Sequence, residues 1–227
     1  MTDPGRPARG AGSRAKPELL EEVKSAILRG EFVPLQRLIE SDLSERFGAS
    51  RSAVRIALQE LVSQGLVEFQ PNKGARVRSI SVDEAIEITE VRVVLEGMEA
   101  SLAAERVTDA EAAELSDIAV RMREAVEAGE LLTYSDLNVR LHASIREAAR
   151  HETSARLLRE LRNQTARHQF SLALVPGRPS QSLPQHEAIV AAIVARDVPG
   201  AEDAMKAHLR SVIDALRALP SLDSARR

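Results

Sequence analysis

The sequence predicts a mainly α-helical chain in two parts: three helices closed by a two-stranded hairpin, then an antiparallel bundle of six helices. Three observations predict it. Apolar residues recur three and four positions apart along almost the whole of the 227 residues, the spacing that places them on one face of a helix. Only 2 % of residues are aromatic, so Ala and Leu, both good helix formers, must fill the core. The apolar period shortens to two only between residues 66 and 78, which confines the strands to that stretch.

Taken in order, residues 1–17 are rich in Gly, Pro and Arg and read as a disordered basic arm. From Glu18 onward Leu19, Leu20, Val23, Ile27 and Leu28 share a helical face, and Gly30 ends the run. Leu38, Leu43 and Phe47 frame a short second helix that stops at Gly48. Ser50 caps a third, which carries the stripe Val54, Leu58, Leu61 and Val62 and runs to Gly65. Residues 66–70 and 75–78 alternate as two strands about a turn at Pro71, Asn72, Lys73 and Gly74. This first domain spans residues 18–80. In the second, residues 81–227, Ser81 with Glu84 and Thr108 with Glu111 form capping boxes that open two long helices, the latter ending at Gly129. Further helices cover about residues 131–150 and 152–174. Residues 175–180 read as a Pro/Gly loop, and the last helices cover about 182–196 and 198–219.

Composition removes several functions. With no Cys, a disulfide framework, a thiolate zinc site and a cysteine nucleophile are excluded. Scarce aromatics argue against single-strand nucleic-acid binding by ring stacking. No apolar run reaches the length of a membrane span, and the first residues lack the apolar segment of a signal peptide, so a cytoplasmic protein with no membrane partner is expected. The net charge of −3 conceals a division: residues 1–80 hold 13 basic against 10 acidic side chains, and residues 81–227 hold 18 against 24. A basic first part on an acidic remainder hints at a nucleic-acid partner for the former.

Helix, helix, tight turn, helix and hairpin is the order of a winged helix-turn-helix. Gly48 suits the turn, which needs a residue tolerant of positive φ. Arg51 and Arg55 are four apart and share a face of the third helix, away from its apolar stripe. With the hydroxyls of Ser50 and Ser52 they form a helix N-terminus able to enter a major groove, gripping phosphates or reading guanine. Lys73 and Gly74 at the wing tip, with Arg76 and Arg78, are placed to reach the DNA backbone or the neighbouring minor groove.

Residues 42–58, from Asp42-Leu43-Ser44 through Gly48-Ala49-Ser50-Arg51-Ser52 to Arg55-Ile56-Ala57-Leu58, resemble the helix-turn-helix signature of the GntR family of bacterial transcription regulators, and residues 66–68 and 72–75 resemble its wing. The resemblance implies double-stranded operator DNA as partner, with Arg51, Arg55 and Gly74 at DNA-contacting positions and Ser41 where some members carry arginine. It departs from the family at Leu35, where glycine is usual after proline, and at Ile39, where a Ser or Thr cap is usual.

Of the five histidines, His142 stands four residues after Asn138, so the two share a helical face, while His186 and His208 fall on two other predicted helices. Inward-pointing groups from three helices can build a metal site in a bundle, and imidazole suits zinc, nickel, copper or iron. Spacing alone does not join these residues. Residues of about 81–220, however, resemble the FCD effector domain of the FadR-type branch of that family, on the motifs around Asn138 and His142, Gln185 and His186, and Lys206 to Leu209. The resemblance implies that Asn138, His142, His186 and His208 hold a divalent metal, zinc or nickel, at the floor of a cavity for a small carboxylate effector. Asn138 stands where Asp is common. Arg92 resembles a family arginine that faces the cavity, although a helix-surface ion pair with Glu96 at i,i+4 is an equal reading. Gln164 and His168 share a helical face and are further candidates for the cavity wall.

The whole then reads as a homodimeric, ligand-responsive repressor of a catabolic operon, bound to a palindromic operator with half-sites about one helical turn apart. The rival reading is a metal-dependent enzyme on a helical bundle acting on a small acid. Against it, no carboxylate is placed as an evident general base: Glu187 adjoins His186 but points about 100° away from it on a helix.

Overall fold

The computed structural model describes residues 16–70 and 73–219. The predicted basic arm, up to residue 15, and Pro71 and Asn72 of the hairpin turn lie outside the described residues. The chain divides into two compact units between Ser79 and Ile80.

The first unit runs α1 (Lys16–Leu28), β1 (Arg37–Leu38), α2 (Glu40–Phe47), α3 (Arg51–Ser63), β2 (Val67–Gln70) and β3 (Gly74–Val77). Helix α1 starts two residues before Glu18, because a proline, here Pro17, is well tolerated in the first turn of a helix. Leu19, Val23 and Ile27 of α1, Leu43 of α2, and Val54, Leu58 and Leu61 of α3 meet Val67 and Val77 in one aliphatic core. Each such side chain withdrawn from water contributes about 1.5–3 kcal/mol. Leu38 departs from expectation. It belongs to a strand rather than to the second helix and pairs with Ala75, so the wing is a three-stranded antiparallel sheet in the order β1-β3-β2. Two residues are too few to show a period of two, which is why β1 leaves no pattern in the sequence. Gly48 ends α2 with φ +61° and ψ +34°, and the backbone N–H groups of Gly48 and Ala49 return to the carbonyls of Glu45 and Ser44. Glycine adopts that left-handed geometry without steric cost, and it aims α3 away from α2.

The second unit is helical throughout its described residues: α4 (Val82–Arg106), α5 (Asp109–Glu127), α6 (Leu131–Ala149), α7 (Glu152–Ala173), α8 (Arg178–Val194) and α9 (Val198–Arg217). Thr108 and Glu111 form the complete capping box at α5, and Ser81 accepts from the Glu84 backbone at α4. Helix α4 packs against α6, α7, α8 and α9 and is the central element. Ile118, Met122, Leu141, Ile145, Ile189, Ile193, Met205 and Leu209 fill the core beside it. Helix α8 begins at Arg178, four residues ahead of the predicted Ser182. Gly177, at φ +80°, precedes it, and Pro179 sits in the first turn, where a proline without an N–H is well placed. The early start turns Arg178 and Ser182 inward, and both are buried.

Candidate functional site

The first unit presents α3 as a recognition helix. Ser50 caps it, its side chain accepting from the Ala53 backbone N–H at 3.2 Å, and the Ser50 and Ser52 hydroxyls lie 3.0 Å apart. Arg51, Ser52 and Arg55 are exposed while Val54, Ala57 and Leu58 face the core. Arg55 is held by Glu40 at the start of α2: its Nε and Nη2 donate to the two carboxylate oxygens, both at 2.8 Å. Ser41 is exposed and donates to Asp42 Oδ1 at 3.0 Å. At the wing, Lys73 and Gly74 are exposed. Gly74 has φ +80° with nothing within 4 Å of where a Cβ would stand, so the backbone geometry, not lack of space, asks for glycine.

In the second unit, three histidines converge. His142 of α6, His186 of α8 and His208 of α9 are 3 %, 2 % and 4 % exposed, and each offers a ring nitrogen within 4.8 Å of those of the others. The neighbours decide which nitrogens are available. His142 Nδ1 lies 2.9 Å from Glu96 Oε2, and His208 Nδ1 lies 3.0 Å from Gln185 Oε1. The Gln185 oxygen can only accept, so His208 Nδ1 carries the proton and its Nε2 keeps a lone pair, while His142 Nδ1 stands at ion-pair distance from Glu96 without a well-aligned hydrogen bond. His186 Nδ1 is 3.1 Å from the Tyr134 hydroxyl, and its Nε2 is buried with no hydrogen-bond partner. Imidazoles oriented through one nitrogen with the other left open are the arrangement that metal-ligating histidines adopt. Asn138, one turn before His142, adds a buried Oδ1 that also lacks a hydrogen-bond partner. The donor set of three imidazoles and an amide oxygen fits a borderline divalent ion. Burial disfavours the charged rings: His142 is pushed down to about 3, and His186 and His208 lie well below the usual histidine range. Neutral histidine is the form that ligates a metal.

These groups open on a cavity lined also by Arg92, Arg162 and Arg178. About 50 Å³ of it is open to the centres of water molecules, where one water occupies roughly 10–15 Å³, so it accommodates a compact ligand. Arg92 does pair with Glu96, but in the interior and not on the helix surface. Its Nε donates to Glu96 Oε1 at 2.7 Å, while its Nη1 is buried without a partner in the cavity wall. Glu96, 2 % exposed, also accepts from Arg162 Nη1 at 3.1 Å. Burial alone would raise its carboxyl, but the charges of Arg92 and Arg162 outweigh that and hold it well below the usual range. Gln164 and His168 are not among the lining residues. Arg162, Gln169, Leu172 and Ala173 of α7 line the cavity. Glu187 is ion-paired with Arg123 at 2.7 Å. Sequence reasoning missed Arg162, Arg178 and Tyr134, and it named Glu96 only as a partner of Arg92 and Gln185 only within a motif, not as groups beside the histidines.

A winged helix-turn-helix with arginines exposed on its recognition helix, carried in one chain with a helical unit that holds a cavity lined by histidines and arginines, defines a DNA-binding transcription regulator. The chain belongs to the GntR family of bacterial regulatory proteins: that family matches residues 16–77, and the FCD domain family matches residues 87–211. It is therefore a regulator and not an enzyme. It is 31 % identical over 219 residues to the HTH-type transcriptional regulator LutR of Bacillus subtilis, covering 84 % of this chain and 95 % of that one. It is 27 % identical over 196 residues to the HTH-type transcriptional repressor RspR of Escherichia coli, covering 84 % and 86 %. Its fold is similar to that of the solved structure of E. coli McbR/YncC, with a TM-score of 0.77, 22 % identity and coverage of 89 % and 96 %.

Proposed function

We propose that this chain is a repressor of the FadR type that acts in the cytoplasm, binds a palindromic operator as a homodimer, and controls a catabolic operon in response to a small carboxylate. Residues 18–80 would bind DNA and residues 81–227 the metal and effector. Ser41, Ser50, Arg51, Ser52, Arg55, Lys73 and Gly74 would contact DNA. Asn138, His142, His186 and His208 would hold a divalent ion, zinc or nickel. The observation that carries the effector reading is the three buried histidines whose ring nitrogens converge within 4.8 Å, beside an arginine with an unpartnered Nη1. The ion would supply a Lewis-acidic anchor for a carboxylate oxygen. Arg92 would orient that carboxylate through charge-assisted hydrogen bonds, and the surrounding apolar wall would limit water. The name of the E. coli relative, a repressor, supports the direction of control.

The test is binding of the full chain to duplexes from its own upstream region, followed by mobility shift and metal analysis. Arg51→Ala and Arg55→Ala each weaken operator binding by about tenfold or more, since a good base contact is worth about 1–3 kcal/mol, with helical content unchanged because both side chains are exposed. His142→Ala loses most of the bound metal and the response to the acid. Normal operator binding by both arginine variants would refute the recognition-helix reading, and an unchanged metal content would refute the site.

A further inference from the structure

Arg178 is a cation that the site as described leaves unexplained. It is 7 % exposed. Its Nη1 donates to Ser211 Oγ at 2.9 Å, its Nη2 is buried with no hydrogen-bond partner, and among the described residues no carboxylate is paired with it. It is also the first residue of the 17-residue helix α8, where the positive end of the helix dipole disfavours a cation and favours an anion. Pro179 and Ser182 of the same turn line the cavity beside it. A buried guanidinium without a counter-charge is costly, and a helix N-terminus next to it makes the location an anion seat.

The charge count extends the argument. Arg92, Arg162 and Arg178 all line the cavity, and among the described residues Glu96 is the one carboxylate ion-paired with any of them. Three guanidinium charges therefore share one paired carboxylate, and two of their nitrogens, Nη1 of Arg92 and Nη2 of Arg178, have no hydrogen-bond partner. A bound divalent ion would enlarge the excess. A monocarboxylate leaves one seat empty.

We infer that the cavity takes a compact acid with two carboxylate groups, one seated at Arg178 and the first turn of α8, the other at Arg92 beside the histidines. This rests on the effector reading above and narrows it from a carboxylate to a diacid.

The experiment is calorimetric titration of the metal-loaded full chain with malonate, succinate and glutarate, each paired with the monoacid of equal length, propionate, butyrate and valerate. Inorganic phosphate, whose charge sits on one centre, is the control. At least one diacid is expected to bind ten or more times tighter than its monoacid and tighter than phosphate. Arg178→Gln is expected to bring that pair within about twofold while leaving the monoacid's affinity as in the native protein. Equal binding of diacid and monoacid, tightest binding by phosphate, or a parallel loss of both acids in Arg178→Gln overturns the inference while leaving the carboxylate site standing. Failure of every acid to bind the native protein overturns the effector reading as well. Should Arg178→Gln not fold, the native-protein comparison still decides, and Arg178→Lys, which keeps the charge and loses the fork, is expected to retain an intermediate preference.

Discussion

Glu99 and Glu96 stand three residues apart on α4, both buried, and their surroundings drive them in opposite directions. Arg92 and Arg162 hold Glu96 ionised. Glu99 is 1 % exposed and accepts one hydrogen bond, from Ser154 Oγ of α7 at 2.6 Å, while its Oε2 has no partner. Burial pushes its carboxyl up to about 7; the Ser154 bond and the positive charges of Arg146 on α6 and Arg162 on α7 offset this in part, and Glu96 adds to it. The folded protein thus keeps a proton that the unfolded chain, with a carboxyl near 4.5, has released. Stability falls as pH rises from about 4.5 to about 7 and levels above that. The span is worth at most about 3 kcal/mol, at ~1.36 kcal/mol per pH unit. Glu99→Gln mimics the protonated form, so its stability relative to the native protein should climb by about 2–3 kcal/mol between pH 4.5 and 8 in urea unfolding. A pH-independent difference would mean that Glu99 ionises at its ordinary value in the fold.

At the scale of elements, α2 and α3 are joined by more than their turn. The Glu40 carboxylate, from the first residue of α2, takes the Nε and Nη2 edge of Arg55, which leaves the Nη1 edge of the guanidinium fork available to a base. Glu40 is thus placed to position Arg55, while adding a negative charge on the side that would meet DNA. Glu40→Gln should lower operator affinity about three- to tenfold and leave affinity for an unrelated duplex unchanged or higher. A parallel fall for both duplexes, in competition assays at fixed salt, would mean that Glu40 acts on folding alone. These helices were legible because their signals are local: Ser50 three residues from the N–H it caps, Gly48 at the turn, Thr108 with Glu111. Strand β1 was not, being two residues long, and α8 was misplaced because Pro179 reads equally as a loop or as a helix start. The site follows the same division. Asn138 and His142 share a face at i,i+4, but family resemblance, not spacing, joined them to His186 and His208 as one site. Tyr134 with His186, or Glu96 with Arg162, join residues 52 and 66 positions apart, a relation that no periodicity encodes. Gln164 and His168 share a face, as the sequence says, but neither lines the cavity.

For the whole molecule, the two sites belong to different units. Every residue named for DNA contact precedes Ser79, every described residue that lines the cavity follows Ile80, and each unit has its own aliphatic core. No side chain serves both sites, so control of the operator by the proposed acid would be a coupling free energy: the acid would have to prefer one state of the protein and the operator another. Such coupling is reciprocal in binding. If a saturating acid weakens operator binding tenfold, about 1.4 kcal/mol, a saturating operator duplex must weaken acid binding by the same tenfold. The pair of measurements is made on the metal-loaded full chain, one by fluorescence anisotropy of a labelled operator and the other by calorimetry with the acid. Equal factors of five or more are expected, with both collapsing to one in His142→Ala. An acid that binds equally well with and without saturating operator would show that cavity and recognition helix act independently, and the cavity would then have a role other than releasing DNA.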